Sequence, residues 1–150
     1  MARPPIRHIL TMVDGTESSI AAAEYAIQLA KCSKARLTAV AIVDTTTLKH
    51  LLSTRIMVPA EMEEYERELE GSARTHLAYV LTLATEAGVR ANTVLLKGAA
   101  HAAVLAEQKA CGADLIVIGA FRWTLCHRDQ LARERQLLLD EAPCPVLVVR

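Results

Sequence analysis

Four arginines crowd one short stretch of this chain: Arg122, Arg128, Arg133 and Arg135. A guanidinium is a planar fork of donors that grips phosphate or carboxylate oxygens. The stretch therefore reads either as an anion-binding patch or as a solvated helix face paired with Asp129, Glu134 and Asp140. Asp14 closes an apolar run and is followed by Gly15-Thr16-Glu17-Ser18. It reads equally as an Asp-Gly turn residue and as a carboxylate presented to a ligand. Ser18 and Ser19 stand where a helix should begin, so capping explains them better than nucleophilic work. Five histidines (His8, His50, His76, His101, His127) form no sequence-local catalytic pair. Cys126-His127 is a loop thiol beside an imidazole rather than a zinc site, because no second pair with ligand spacing follows. No G-x-S-x-G, H-E-x-x-H or Walker A pattern occurs, and the chain is expected to be non-catalytic.

These residues must be positioned by alternating elements. β-rich runs fall at His8–Val13, Arg36–Val43, Asn92–Leu96, Leu115–Ile118 and Val146–Val149. The second, fourth and fifth are almost continuously apolar, the pattern of strands covered on both faces. Between them the apolar period is helical. Ile20, Ala23, Ile27 and Ala30 mark a first helix, with Thr16 or Ser18 as its cap. A longer helix is expected over Glu61–Ala87, stopped by Gly88, with Tyr65, Leu69, Ala73 and Leu77 on its apolar face. Gly71 inside it is a place for a kink. Further helices are expected over Ala99–Cys111 and within Asp129–Glu141. Thr45–Ala60 is too long for a turn, and is either a flap or a short irregular helix. The acidic run Glu61–Glu70 reads as a solvated helix face with pairs such as Glu63–Arg67. Trp123 either packs in the core, plugs a cavity or covers a partner surface.

The order β-α-β-α-β-α-β-α-β requires a mainly parallel, doubly wound sheet with helices on both faces. One hundred and fifty residues suit a single domain, 1–150, that needs no disulfide or metal to fold. Seventeen Lys+Arg balance seventeen Asp+Glu, and aromatic residues are 3% of the chain. Electrostatic binding to nucleic acid or to an anionic membrane needs excess positive charge, so neither is expected as a partner. No apolar run spans a bilayer and no signal-peptide core occurs, so a cytoplasmic location is expected. On that basis Cys32, Cys111, Cys126 and Cys144 are read as reduced, mostly buried thiols.

Three motifs in order, Val13-Asp14-Gly15-Thr16, Asp114-Leu115-Ile116-Val117-Ile118-Gly119 and the terminal Pro145-Val146-Leu147-Val148-Val149, resemble the universal stress protein family from His8 to Arg150. The resemblance implies a five-stranded sheet of order 3-2-1-4-5, Rossmann-like and similar to the adenine nucleotide alpha hydrolases. Asp14 and Gly119 would then flank the switch point, where open α/β sheets bind ligands. It implies that Asp14 lies where relatives hold adenine and ribose, and that Ile42 supplies an apolar wall for a base. Nucleotide-binding relatives carry G-x2-G-x9-G-[ST], a cradle of main-chain N–H groups whose last Gly-Ser/Thr begins the final helix. Here Gly119 keeps the first position, but Arg122, Ala132 and Arg133 stand at the others.

The resulting expectation is a stress-response protein acting through partner contacts, with a degenerate site, weak or absent ATP binding and no cofactor. The alternative is an adenine-nucleotide sensor in which Arg122 and Arg133 replace the glycine cradle. An enzymatic reading, as a nucleotide-hydrolysing or adenylate-transferring relative, is disfavoured because this chain lacks the phosphate loop and a recognisable base or metal constellation. The final strand, Val146, Leu147, Val148 and Val149, is an uncharged edge in order 3-2-1-4-5, and such edges are usually paired or covered. Family resemblance implies the same solution, a homodimer joining last strands antiparallel across a two-fold axis.

Overall fold

The computed structural model describes residues 6–120 and 128–150. Arg122, Trp123, Cys126 and His127 lie outside the described residues. The chain runs β1 (His8–Met12), α1 (Glu17–Ser33), β2 (Arg36–Val43), α2 (Thr45–Ser53), α3 (Pro59–Glu86), β3 (Ala91–Lys97), α4 (Ala100–Cys111), β4 (Leu115–Gly119), α5 (Arg128–Glu141) and β5 (Val146–Val149). All neighbouring strands pair in parallel, in the order β3-β2-β1-β4-β5. This is the order that the family resemblance implies. The stretch after β2 forms the helix α2 followed by a short link, and α3 begins at Pro59, where a missing N–H is harmless.

Alternation along the strands divides the core into two layers. Ile9, Leu37, Ala39, Leu115 and Val117 face α1 and α3; Leu10, Val40, Ile116 and Ile118 face α4 and α5. A parallel sheet covered this way buries nearly every strand side chain, hence the continuous apolar runs. On α1 the sheet-facing residues are mostly small: Ala22, Ala23, Ala26 and Ala30 are fully or almost fully buried. Small side chains bring the helix axis close to the strands. Thr16 caps α1 by accepting the Ser19 N–H at 3.2 Å. Gly88 and Gly112 follow α3 and α4 with φ of 76° and 70°, left-handed values that glycine adopts without strain.

Among the described thiols, Cys32 is exposed on α1, while Cys111 and Cys144 are half-buried. The expectation of mostly buried thiols therefore fails for Cys32. Burial raises the pKa of Cys111 and Cys144 above the ordinary thiol value, which keeps them protonated and unreactive. The acidic face of α3 is tied to the sheet: Lys97 at the end of β3 meets Glu66 at 3.1 Å and Glu70 at 2.6 Å.

His8 is the buried titratable side chain of the sheet. Its Nδ1–H donates to the Cys111 carbonyl at 3.1 Å, and its Nε2 lies 2.6 Å from the Thr38 hydroxyl, which continues to Asn92 at 3.0 Å. Burial, reinforced by the nearby Arg36, lowers its pKa from the ordinary value of 6.5. The folded state thus resists protonation while the unfolded chain accepts it. Stability is whole above about pH 6.5 and falls as pH drops through that value toward the lower folded pKa. Urea denaturation of the native chain at about pH 7.5 and about pH 5.5 should show this loss, at most about 1.4 kcal/mol per pH unit from one group. The loss should shrink in His8→Gln, and an equal slope in both proteins would rule out His8 as its source.

Candidate functional site

A cavity of about 520 Å³ opens at the carboxyl end of the sheet. Four segments contribute to one part of its lining: Met12, Val13 and Asp14 at the end of β1, Ala41–Asp44 at the end of β2, Ala100 of α4 and Glu134 of α5. Leu48 and Leu51 of α2, with Tyr65, Leu69, Ser72, Ala73 and His76 of α3, form the opposite wall. The size suits a small organic molecule. The expected helical stripe of α3 explains its share of the wall. Leu69, Ala73 and His76 are spaced by four and three residues and share a face.

Asp14 and Ile42 both line this cavity. Asp14 also performs its turn role: its Oδ1 accepts the Thr16 N–H at 2.9 Å and the Thr16 hydroxyl at 2.6 Å. Ser19 locks the same turn, accepting the Asp14 N–H at 3.2 Å and donating to the Thr16 carbonyl at 3.1 Å. Asp44 repeats the device after β2, accepting the Thr46 N–H at 3.0 Å. Gly15 takes φ of 83°, and an added Cβ there would sit 2.2 Å from the His76 imidazole. The His76 ring therefore lies directly on the glycine beside Asp14.

Gly119 is absent from the cavity lining among the described residues and has a packing task instead. A Cβ on it would lie 2.5 Å from the Ser18 carbonyl oxygen. The end of β4 and the first turn of α1 meet there backbone to backbone. Arg133 is exposed and likewise outside the lining, and Arg122 is beyond the described residues. A second cavity, of about 540 Å³, includes Ser18 of α1's first turn with Ala120, Arg135, Val148 and Arg150.

One pairing escaped sequence reasoning. Glu134 Oε2 accepts two hydrogen bonds from His101, the backbone N–H at 3.0 Å and the ring Nδ1–H at 2.6 Å. The first turn of α4 needs such an acceptor, since its N-cap residue is Ala99, which has no side-chain oxygen. A carboxylate from α5 thus caps α4, favoured by the positive end of the helix dipole. In the sequence Glu134 reads as a partner of its neighbouring arginines in the solvated-face alternative. The signal in the sequence was the missing cap at Ala99, which no local residue could supply. Among the described residues, no group of three or more His, Cys, Asp or Glu could hold a metal ion, and no helix is long and apolar enough to cross a membrane.

Five parallel strands in the order 3-2-1-4-5, with helices on both faces and a cavity beyond their carboxyl ends, define a doubly wound α/β domain with its concavity where the strand order reverses. The universal stress protein family matches residues 5–150, and the chain belongs to that family. It is 31% identical over 146 residues to universal stress protein MJ0531 of Methanocaldococcus jannaschii, covering 96% of this chain and 82% of that one. The crystal structure of a universal stress protein family member from Burkholderia pseudomallei superposes with a TM-score of 0.75 at 25% identity, covering 99% and 98% of the two chains. A universal stress protein solved in complex with cAMP shares the fold at a TM-score of 0.69 and 20% identity, covering 98% of each chain.

The backbone contact at Gly119 gives a direct test. Gly119→Ala must separate β4 from α1 because the atom in its way is a carbonyl, and should lose about 1–3 kcal/mol in chemical denaturation. Gly71→Ala, at a position with no atom within 4 Å of the new Cβ, should be neutral or stabilising in the same experiment.

Proposed function

We propose that this protein is a non-catalytic universal stress protein that acts through protein partners as a homodimer, with no tight ATP site and no bound cofactor. The supporting observation is the start of α5. In the nucleotide-binding pattern the last Gly-Ser/Thr begins the final helix, so its amides are free to meet phosphate. Here α5 begins at Arg128. Positions 132 and 133 therefore lie past its first turn, where the N–H groups are used by the helix's own i→i−4 bonds. Ala132 and Arg133 also carry side chains where the cradle needs glycine and a hydroxyl. Arg133 is exposed and outside the cavity lining, which does not favour the alternative, a sensor using Arg122 and Arg133. Nucleic acid and membrane are not among the proposed partners, consistent with the zero net charge.

Calorimetric titration with ATP and magnesium should show no binding tighter than about 100 μM, near −5.5 kcal/mol. A low-micromolar complex, or ATP co-purifying in near-equal amount, would replace this reading with the sensor.

The dimer is proposed on β5. Among the described residues this strand pairs only with β4, and Val146, Leu147, Val148 and Val149 are each partly exposed in the single chain. An uncharged half-open edge is self-complementary when two copies run antiparallel, and the side chains flanking it add apolar burial. Light scattering at micromolar concentration should report twice the 16.3 kDa chain mass. Val148→Pro removes a donor and should leave monomer or aggregate. A monomer from the unmodified chain would sink the dimer.

A further inference from the structure

We propose that the corner joining α2 to α3 is a docking surface for a partner protein, taken by an amphipathic helix whose apolar face is bordered by Lys or Arg. This rests on the reading that the chain acts through protein partners, and it names the chemistry of one. The corner carries three apolar residues in succession, Ile56-Met57-Val58, where a link between two helices is ordinarily polar. Ile56 is 67% exposed, Val58 54%, Tyr65 40% and Leu52 37%. Val58, Met62 and Tyr65 are four and three residues apart, so they share one face at the start of α3. Leu52 and Ile56 stand at the adjoining end of α2, which rests on α3. Large apolar side chains gathered in this way mark an interaction site rather than scattered surface residues.

The corner is fixed by its own hydrogen bonds. Arg55 takes φ of 59° and donates its N–H to the Leu52 carbonyl at 3.1 Å, while the Ile56 N–H donates to the Leu51 carbonyl at 3.1 Å. These are the two bonds of a Schellman stop, and they set Ile56 just beyond the end of α2. Val58 then donates its N–H to Glu61 Oε2 at 3.4 Å, and Pro59 opens α3. Apolar side chains on so defined a backbone lose little freedom when a partner covers them. That is the condition for anchor residues at an interface.

Charge decides the occupant. On one flank of the α3 stripe Glu61, Glu64 and Glu68 are exposed, three and four residues apart. On the other flank, Glu66 and Glu70 are already met by Lys97. A partner helix lying along the stripe gains by setting Lys or Arg against the first row. Lys49 and Arg55, exposed on the α2 side, fix its orientation by favouring acidic residues there. An anionic lipid surface would be repelled by the same glutamate row. A second copy pairing through this corner about a two-fold axis would bring two such rows together, like charge against like.

The experiment is calorimetric titration of the full chain with two helical peptides of one design, leucines along one face, flanked by lysines in the first and by glutamates in the second. The lysine peptide should bind at about 100 μM or tighter, and the glutamate peptide at least about tenfold more weakly. Ile56→Ser with Val58→Ser should weaken the lysine peptide at least about tenfold. Glu64→Gln with Glu68→Gln should weaken it and flatten its salt dependence. Circular dichroism confirms that each variant is folded. No binding of the lysine peptide at millimolar concentration overturns the proposal, as does equal binding of both peptides or undiminished binding by either variant. Sedimentation of the native chain with phosphatidylserine–phosphatidylcholine vesicles assigns the corner to a membrane and overturns it. A lower scattering mass in the Ile56→Ser, Val58→Ser variant than in the native chain assigns it to a second copy and does the same. Proteins captured from a cell lysate separate this inference from the reading beneath it. Partners held equally by the native chain and that variant remove this surface and keep the partner reading, whereas no partner on the native chain removes both.

Discussion

A crossover between parallel strands is right-handed, so the direction in which strands are added decides which face of the sheet each helix covers. From β1 through β2 to β3 the sheet grows one way, and α1 and α3 pack on one face. β4 then returns to the far side of β1 and growth toward β5 runs the other way, with α4 and α5 on the opposite face. The carboxyl ends of the strands consequently feed helices that leave toward opposite sides. The space between those departing helices cannot be filled by the sheet itself. The cavity, its turn carboxylates and its apolar wall all follow from that single reversal.

Close approach around the reversal is arranged by small residues on one side and a charged cap on the other. Ala22, Ala23, Ala26 and Ala30 draw α1 onto the strands, and Gly119 lets the end of β4 touch the Ser18 carbonyl. On the opposite face, α4 begins at an alanine cap, and its first turn is completed by Glu134 from α5. Packing on the first face is thus governed by the absence of side chains. On the second face, a buried polar requirement joins two helices that would otherwise meet only through apolar contacts such as Val104 and Leu138. The same carboxylate that completes the fold there also borders the cavity.

Particular residues show why some of this could be read in advance. Strands were legible because two-sided burial leaves an uninterrupted apolar run, as in Leu115–Ile118, and helix ends because Gly88 and Gly112 are local stops. Thr45–Ala60 was ambiguous because its nine-residue helix, α2, rests on α3 rather than on a strand and so lacks a sheet-facing period. The start of α5 was read one residue late, at Asp129, a difference within ordinary end fraying. Of the residues named for the site, Asp14 and Ile42 reached the cavity because strand ends carry them there. Gly119 proved to be a contact between β4 and α1, and Arg133 faces solvent.

What the sequence by itself determined is whatever depends on neighbours along the chain: the alternation of elements, their faces and stops, the Asp14–Thr16–Ser19 turn, and the parallel order that the crossover rule and the resemblance leave open to it. What only the tertiary structure decided depends on groups far apart in the chain. Glu134 sits 33 residues beyond the His101 N–H that it receives, and His76 covers Gly15 from a different helix. Neither position has a local period or motif to announce it, because a hydrogen bond or a ring contact between elements is set by the relative placement of their backbones. That placement emerges only when the two faces of the sheet are packed.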